Sequence, residues 1–170
     1  EGRDTVLLPL MKQIAGATAN TLPLDKEVRG ELTSSSGLNY NDGSRHQVYT
    51  LNLEANQAVE LQLGGALNGG LAVFKGPLLV ASTQASEYGS SGNSLAFRST
   101  EAGAYTVAVN GSQASAYGPY QLTAKVIAAY DGKPLSPGEH AIDWLISDRQ
   151  EYQFTIATAG VYVITAESSN

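Results

Sequence analysis

The chain has 170 residues, enough for one ordinary domain and a remainder. Only 15% of them are charged and the formal net charge is −6, which speaks against nucleic acid and anionic membrane surfaces as partners. With 42% hydrophobic residues and no Cys, disorder, disulfides and thiolate chemistry are excluded, so stability has to come from core packing. No stretch approaches the roughly eighteen apolar residues of a membrane span, since Val6–Ile14 is interrupted by Pro9, Lys12 and Gln13. The sequence opens on Glu1 instead of Met, for which a removed secretory signal is one explanation. Few Lys beside abundant Gly, Ser, Thr, Asn and Tyr gives the composition of an exported bacterial protein, periplasmic, extracellular or on the cell surface.

The spacing predicts a short helix over 4–18, with Asp4 as N-cap and Leu7, Leu10, Met11 and Ile14 on one face, limited by Pro9. From Leu24 the period changes to two. Tyr49, Leu51 and Leu53 share one face of a strand, and after a turn at Ala55–Gln57 so do Val59, Leu61 and Leu63. Gly64-Gly65 and Gly69-Gly70 bracket a turn, Leu71–Phe74 is a strand ended by Gly76-Pro77, and Leu78–Ala81 continues the pairing. Ser82–Asn93 reads as a long loop. Leu95–Phe97 opens the next strand, Tyr105, Val107 and Val109 face inward, and Tyr120, Leu122, Ala124 and Val126 share the last face. Short alternating strands at turn-punctuated intervals predict an all-β protein: an antiparallel, jelly-roll-like β-sandwich with one solvated face per sheet, preceded by the helical lead.

Beyond a linker at 128–133 the pattern restarts, Tyr152-Gln-Phe-Thr-Ile156 repeating the spacing of Tyr49-Thr-Leu-Asn-Leu53. Tyr162, Ile164 and Ala166 then align with Val59, Leu61 and Leu63. A rival register aligns Ala159–Ile164 with Ala102–Val107. The expected organisation is a lead over 1–23, a complete sandwich over 24–127, the linker, and a partial second copy over 134–170. Three strands leave apolar faces uncovered, so Trp144, Phe154 and Tyr162 are expected to be buried against the first domain or a second chain, unless the native polypeptide is longer.

Over Leu24–Ile127 these segments, with Gly30 after the opening strand, Ser94–Phe97 and Tyr117-Gly-Pro-Tyr-Gln-Leu122, resemble the bacterial pre-peptidase C-terminal domain family, as one full copy and a truncated second. The resemblance implies a small β-sandwich of the kind carried by secreted proteases and collagenases, with an accessory or binding role. Many members carry an acidic Asn-Asp-Asp-type segment in the middle loop, where this chain reads Gln84–Ser90 with one carboxylate, which argues against calcium there. Related domains in collagenases bind calcium near their N-terminal segment; here the oxygen-rich candidates are Asn39, Asn41 and Asp42 before Gly43, although Asn-Asp-Gly is also an ordinary turn.

No catalytic constellation is present in the sequence. His46 precedes a strand and reads as a solvated loop residue; His140, between Glu139 and Asp143, reads as a strand edge although a metal or acid-base cluster is conceivable. The nine Tyr outnumber the three Phe. Tyr40, Tyr88 and Tyr117 fall in loops, where an exposed ring stacks on a sugar or peptide, whereas Tyr49, Tyr105, Tyr120, Tyr152 and Tyr162 have inward phase, with their hydroxyls at the sandwich rim. The expectation is a non-catalytic module without cofactor. Its partners are further domains or a second copy of itself; as a structural or adhesive repeat it would bind a surface polysaccharide or protein. A fragment of a secreted hydrolase is the lesser alternative.

Overall fold

Alternating apolar residues fold the chain into ten strands in the computed structural model, which describes residues 19–83, 93–127, 133–139 and 151–166. The predicted helix over 4–18 lies outside the described residues, as do Tyr88, His140, Asp143 and Trp144. Contacts divide the chain into two units, Glu1–Ile127 and Ala128–Asn170. The strands are β1 (Asn20–Thr21), β2 (Glu27–Leu32), β3 (Gly37–Leu38), β4 (Arg45–Leu53), β5 (Ala58–Gly65), β6 (Gly69–Lys75), β7 (Leu78–Thr83), β8 (Asn93–Arg98), β9 (Gly103–Gly111) and β10 (Gly118–Ile127). The fold is all-β, and none of the described residues is helical.

Six strands form one sheet, in the order β1-β4-β9-β6-β7 with β3 beside β4, and four form the other, in the order β2-β10-β5-β8. The eight longer strands pair as though one long hairpin with β6 and β7 at its tip had been rolled up, β5 meeting β8, β4 meeting β9 and β2 meeting β10. That is a jelly-roll arrangement, and it brings β10 beside β5 and β9 beside β6. Strands β4 and β5, neighbours in sequence, therefore lie in different sheets instead of pairing. Asn20–Thr21, inside the stretch expected as lead, already pair with β4, in parallel.

The core lies between the sheets. Tyr49, Leu51, Leu53, Tyr105, Val107 and Val109 from one meet Val59, Leu61, Leu63, Tyr120 and Leu122 from the other, all buried. Each such aliphatic side chain contributes about 1.5–3 kcal/mol by leaving water. The tyrosine hydroxyls of Tyr49 and Tyr120 are not at the rim as expected; they bond to each other inside, 2.7 Å apart. Gly30 lies within β2 rather than after it, directly opposite Tyr120, whose ring occupies the space a Cβ would take. The expectation of one solvated face fails in the larger sheet. Every residue from Gly69 to Phe74 is buried, and Ala72 and Phe74 join Val48 and Ala108 in a second cluster on the outward side, with Ala19 and Leu79 packed against it.

In the second unit, Leu135 and Phe154 form an isolated parallel bridge, held by Leu135 N–H to the Gln153 carbonyl and Thr155 N–H to the Leu135 carbonyl, both 2.8 Å. Among the described residues of this unit, Phe154 is 47% and Tyr162 39% exposed.

Candidate functional site

Four connections meet at one end of the sandwich. The first, Asn39–Ser44, is a turn built by its own polar side chains. Asn39 Oδ1 accepts from the backbone N–H and side-chain amide of Asn41 at 3.1 and 3.0 Å, and Asp42 Oδ1 accepts from the N–H and hydroxyl of Ser44 at 2.8 and 2.7 Å. The backbone closes it, Gly43 N–H donating to the Asn39 carbonyl and Asn39 N–H to that of Ser44, both 2.8 Å, with Gly43 at φ 75°. The three residues expected as calcium ligands are thus brought together, but two of their oxygens serve the turn itself. A lone carboxylate is a small part of the six to eight oxygens calcium takes. Among the described residues no group of three or more His, Cys, Asp or Glu could hold a metal.

The β9–β10 connection lies against this turn, since a Cβ on Gly43 would come 3.2 Å from that of Ala114. It is folded tightly, with Ala116 buried, Ala116 N–H bonded to the Gln113 carbonyl and Tyr117 N–H to that of Ser115, both 3.0 Å. The β5–β6 connection joins it: Ala66 and Leu67 both donate to the Pro119 carbonyl at 3.1 Å, and Ser112 N–H donates to Asn68 at 3.0 Å. The β2–β3 turn at Thr33–Ser36 completes the end, tied to β4 by the Arg45 guanidinium on the Ser36 carbonyl at 3.1 Å. Two expected ligand residues stand on this platform: Tyr40 at 80% exposure and Tyr117 at 46%. Rigid loops that hold flat rings in solvent lose little entropy when a flat ligand face stacks on them.

His46 is a correction. It lies on β4, between Gly37 of β3 and Asn110 of β9 in register, and is 7% exposed instead of solvated. Strand β4 starts one residue earlier, so His46 faces outward from the larger sheet beside the Val48 cluster. Burial holds its imidazole below the ordinary value, and among the described residues neither its Nδ1 nor Asn110 Oδ1 has a hydrogen-bond partner. Glu139, expected beside His140, uses its carboxylate to accept the Ser136 N–H at 2.6 Å, closing a local turn. Alternation marks Gln62, Gln121 and Thr123 merely as outward-facing, which is why they carry no functional expectation in the sequence; their register across the smaller sheet depends on non-local pairing.

No family model matches the chain, and no curated protein sequence matches it. Among solved structures, the chain is 18% identical to the pre-peptidase C-terminal domain of collagenase from Bacillus anthracis, covering 64% of this chain and 95% of that one with a TM-score of 0.48. It is 19% identical to PliG of Aeromonas hydrophila, a periplasmic inhibitor of g-type lysozyme, over 65% and 98% of the two chains with a TM-score of 0.44. PliG of Salmonella Typhimurium is 15% identical over 65% and 100%, at 0.43. A domain of the family that the sequence resembles is thus among the solved structures similar to this chain.

Proposed function

We propose that this chain is a non-catalytic, exported binding module that holds a surface polymer, a polysaccharide or a fibrous protein, at the loop end of its sandwich. The observation that supports the reading is the placing of Tyr40 and Tyr117, exposed, on two connections that touch through Gly43 and Ala114. A polymer offers many weak stacking contacts, and two rings on a rigid platform suit it better than a small solute that needs enclosure. The test is retention on cellulose, chitin and collagen columns. Replacing both tyrosines (Tyr40→Ala with Tyr117→Ala) should reduce retention several-fold with the melting temperature unchanged; undiminished retention on every matrix that holds the wild type defeats the proposal. Turnover of a glycoside or peptide panel, abolished by a single substitution, would defeat its non-catalytic part.

The second unit is proposed to be the start of a second copy. Leu22 N–H donates to the Thr50 carbonyl at 2.8 Å, as Leu135 N–H does to that of Gln153. Three residues later each segment turns through positive φ, at Asp25 (58°) and Gly138 (89°). The rival register has support too: Tyr162 hydroxyl donates to the Thr158 carbonyl and Tyr105 hydroxyl to that of Glu101, each four residues back.

A further inference from the structure

The outward, solvated face of the smaller sheet carries a row of side chains able both to donate and to accept hydrogen bonds. Thr123 on β10 is in register with Glu27 on β2 and with Gln62 on β5, and Gln62 with Ser94 on β8. Glu27, Thr123, Gln62 and Ser94 therefore form one line across all four strands, about 14 Å long at the usual strand spacing of roughly 4.8 Å. Their sequence neighbours Val28, Leu61, Leu63, Leu95, Leu122 and Ala124 point the other way into the core, which fixes the direction of the row. Beside it runs a second line, Arg29, Gln121 and Gly64. Gly64 leaves a gap there, since a Cβ would stand 3.7 Å from Gln121 Oε1 in otherwise open space. Glu27, Gln62, Gly64, Ser94, Gln121 and Thr123, with Glu60, Leu63 and Asn93, line a shallow, open cleft of about 430 Å³.

We infer that this cleft is a binding site for a neutral, hydroxyl-rich ligand, a segment of polysaccharide. Its centre holds carboxamides and hydroxyls, Gln62, Gln121, Thr123 and Ser94, each able to donate and to accept, as vicinal sugar hydroxyls require. Of its two carboxylates, Glu27 is paired with the Arg29 guanidinium at 2.8 Å, and Glu60 accepts from Gln62 Nε2 at 3.3 Å and lies opposite Lys125 in register. Its groups stand on paired strands rather than on loops, so little ordering is left for binding to complete. Neither Tyr40 nor Tyr117 lines it.

The test is a nitrogen-proton correlation NMR titration of the full chain with cellohexaose, maltohexaose and chitohexaose, and with hexalysine as the charged alternative. Amide shifts at Gln62, Gly64, Gln121 and Thr123 with at least one oligosaccharide are expected. The double replacement Gln62→Ala with Gln121→Ala should weaken that binding about tenfold while the melting temperature stays within a degree or two, because both side chains are exposed. Shifts confined to the loop end, shifts with hexalysine alone, or none at these four residues with any of the three sugars overturns the inference. So does unchanged affinity in the double variant.

Discussion

The Tyr49 and Tyr120 hydroxyls meet 2.7 Å apart, from opposite sheets. Tyr120 passes its own proton on to Gln47 Oε1 at 2.6 Å, so Tyr49 is the donor to Tyr120 and the three groups form a chain. A polar chain in an apolar layer is stable only while every member is satisfied.

Removing the end of that chain should therefore cost less than removing its middle. Tyr49→Phe is expected to lower stability by about 1 kcal/mol, and Tyr120→Phe by about 1–3 kcal/mol because it strands both the Tyr49 proton and the Gln47 carbonyl oxygen. Urea denaturation orders the two; equal losses contradict the donor direction. Burial, with the Tyr49 hydroxyl beside it, also pushes the Tyr120 hydroxyl far above its ordinary value near 10. The unfolded chain then ionises first in alkali, so stability is fully present below about pH 10 and declines above it. Tyr120→Phe should flatten that alkaline decline.

Gly30 is a packing requirement. Its missing Cβ is the space in which the Tyr120 ring lies. Gly30→Ala should cost about 1–3 kcal/mol through overpacking, and much less when combined with Tyr120→Leu. A double-mutant cycle in urea checks this; strict additivity would show that the ring and the glycine do not depend on each other.

His46 makes the fold acid-sensitive. Because burial lowers its folded value below the ordinary 6.5, the unfolded chain takes up the proton first as pH falls, and stability drops progressively from about pH 6.5 downward. The difference between wild type and His46→Gln in urea midpoints at pH 7.5 and 5.5 isolates this group from the carboxylates. An identical pH slope in both chains would show that His46 does not contribute.

On the proposed repeat register Leu51 and Phe154 are counterparts, and they are 0% and 47% exposed. Leu51→Asp should cost several kcal/mol by placing a charge in the core. Phe154→Asp should change the calorimetric melting profile by no more than the roughly 0.5 kcal/mol of a surface substitution. A large loss at Phe154 would mean that the second unit has a covered core of its own.

Period-two alternation by itself determined most of the longer strands and most of the core: Tyr49, Leu51, Leu53, Val59, Leu61, Leu63, Tyr105, Val107, Val109 and Leu122 are read inward from sequence and are buried. Loop composition likewise placed Tyr40 and Tyr117 in solvent. Only the tertiary structure decided which strands pair, because antiparallel partners such as β4 and β9 or β2 and β10 are brought together by the rolled topology, and alternation is the same for any partner. That is why His46 moved from loop to buried strand, why Gly30 proved to accommodate a tyrosine ring, and why Glu27, Thr123, Gln62 and Ser94 emerge as one row. Phase states which way a side chain points, and burial depends on what stands opposite.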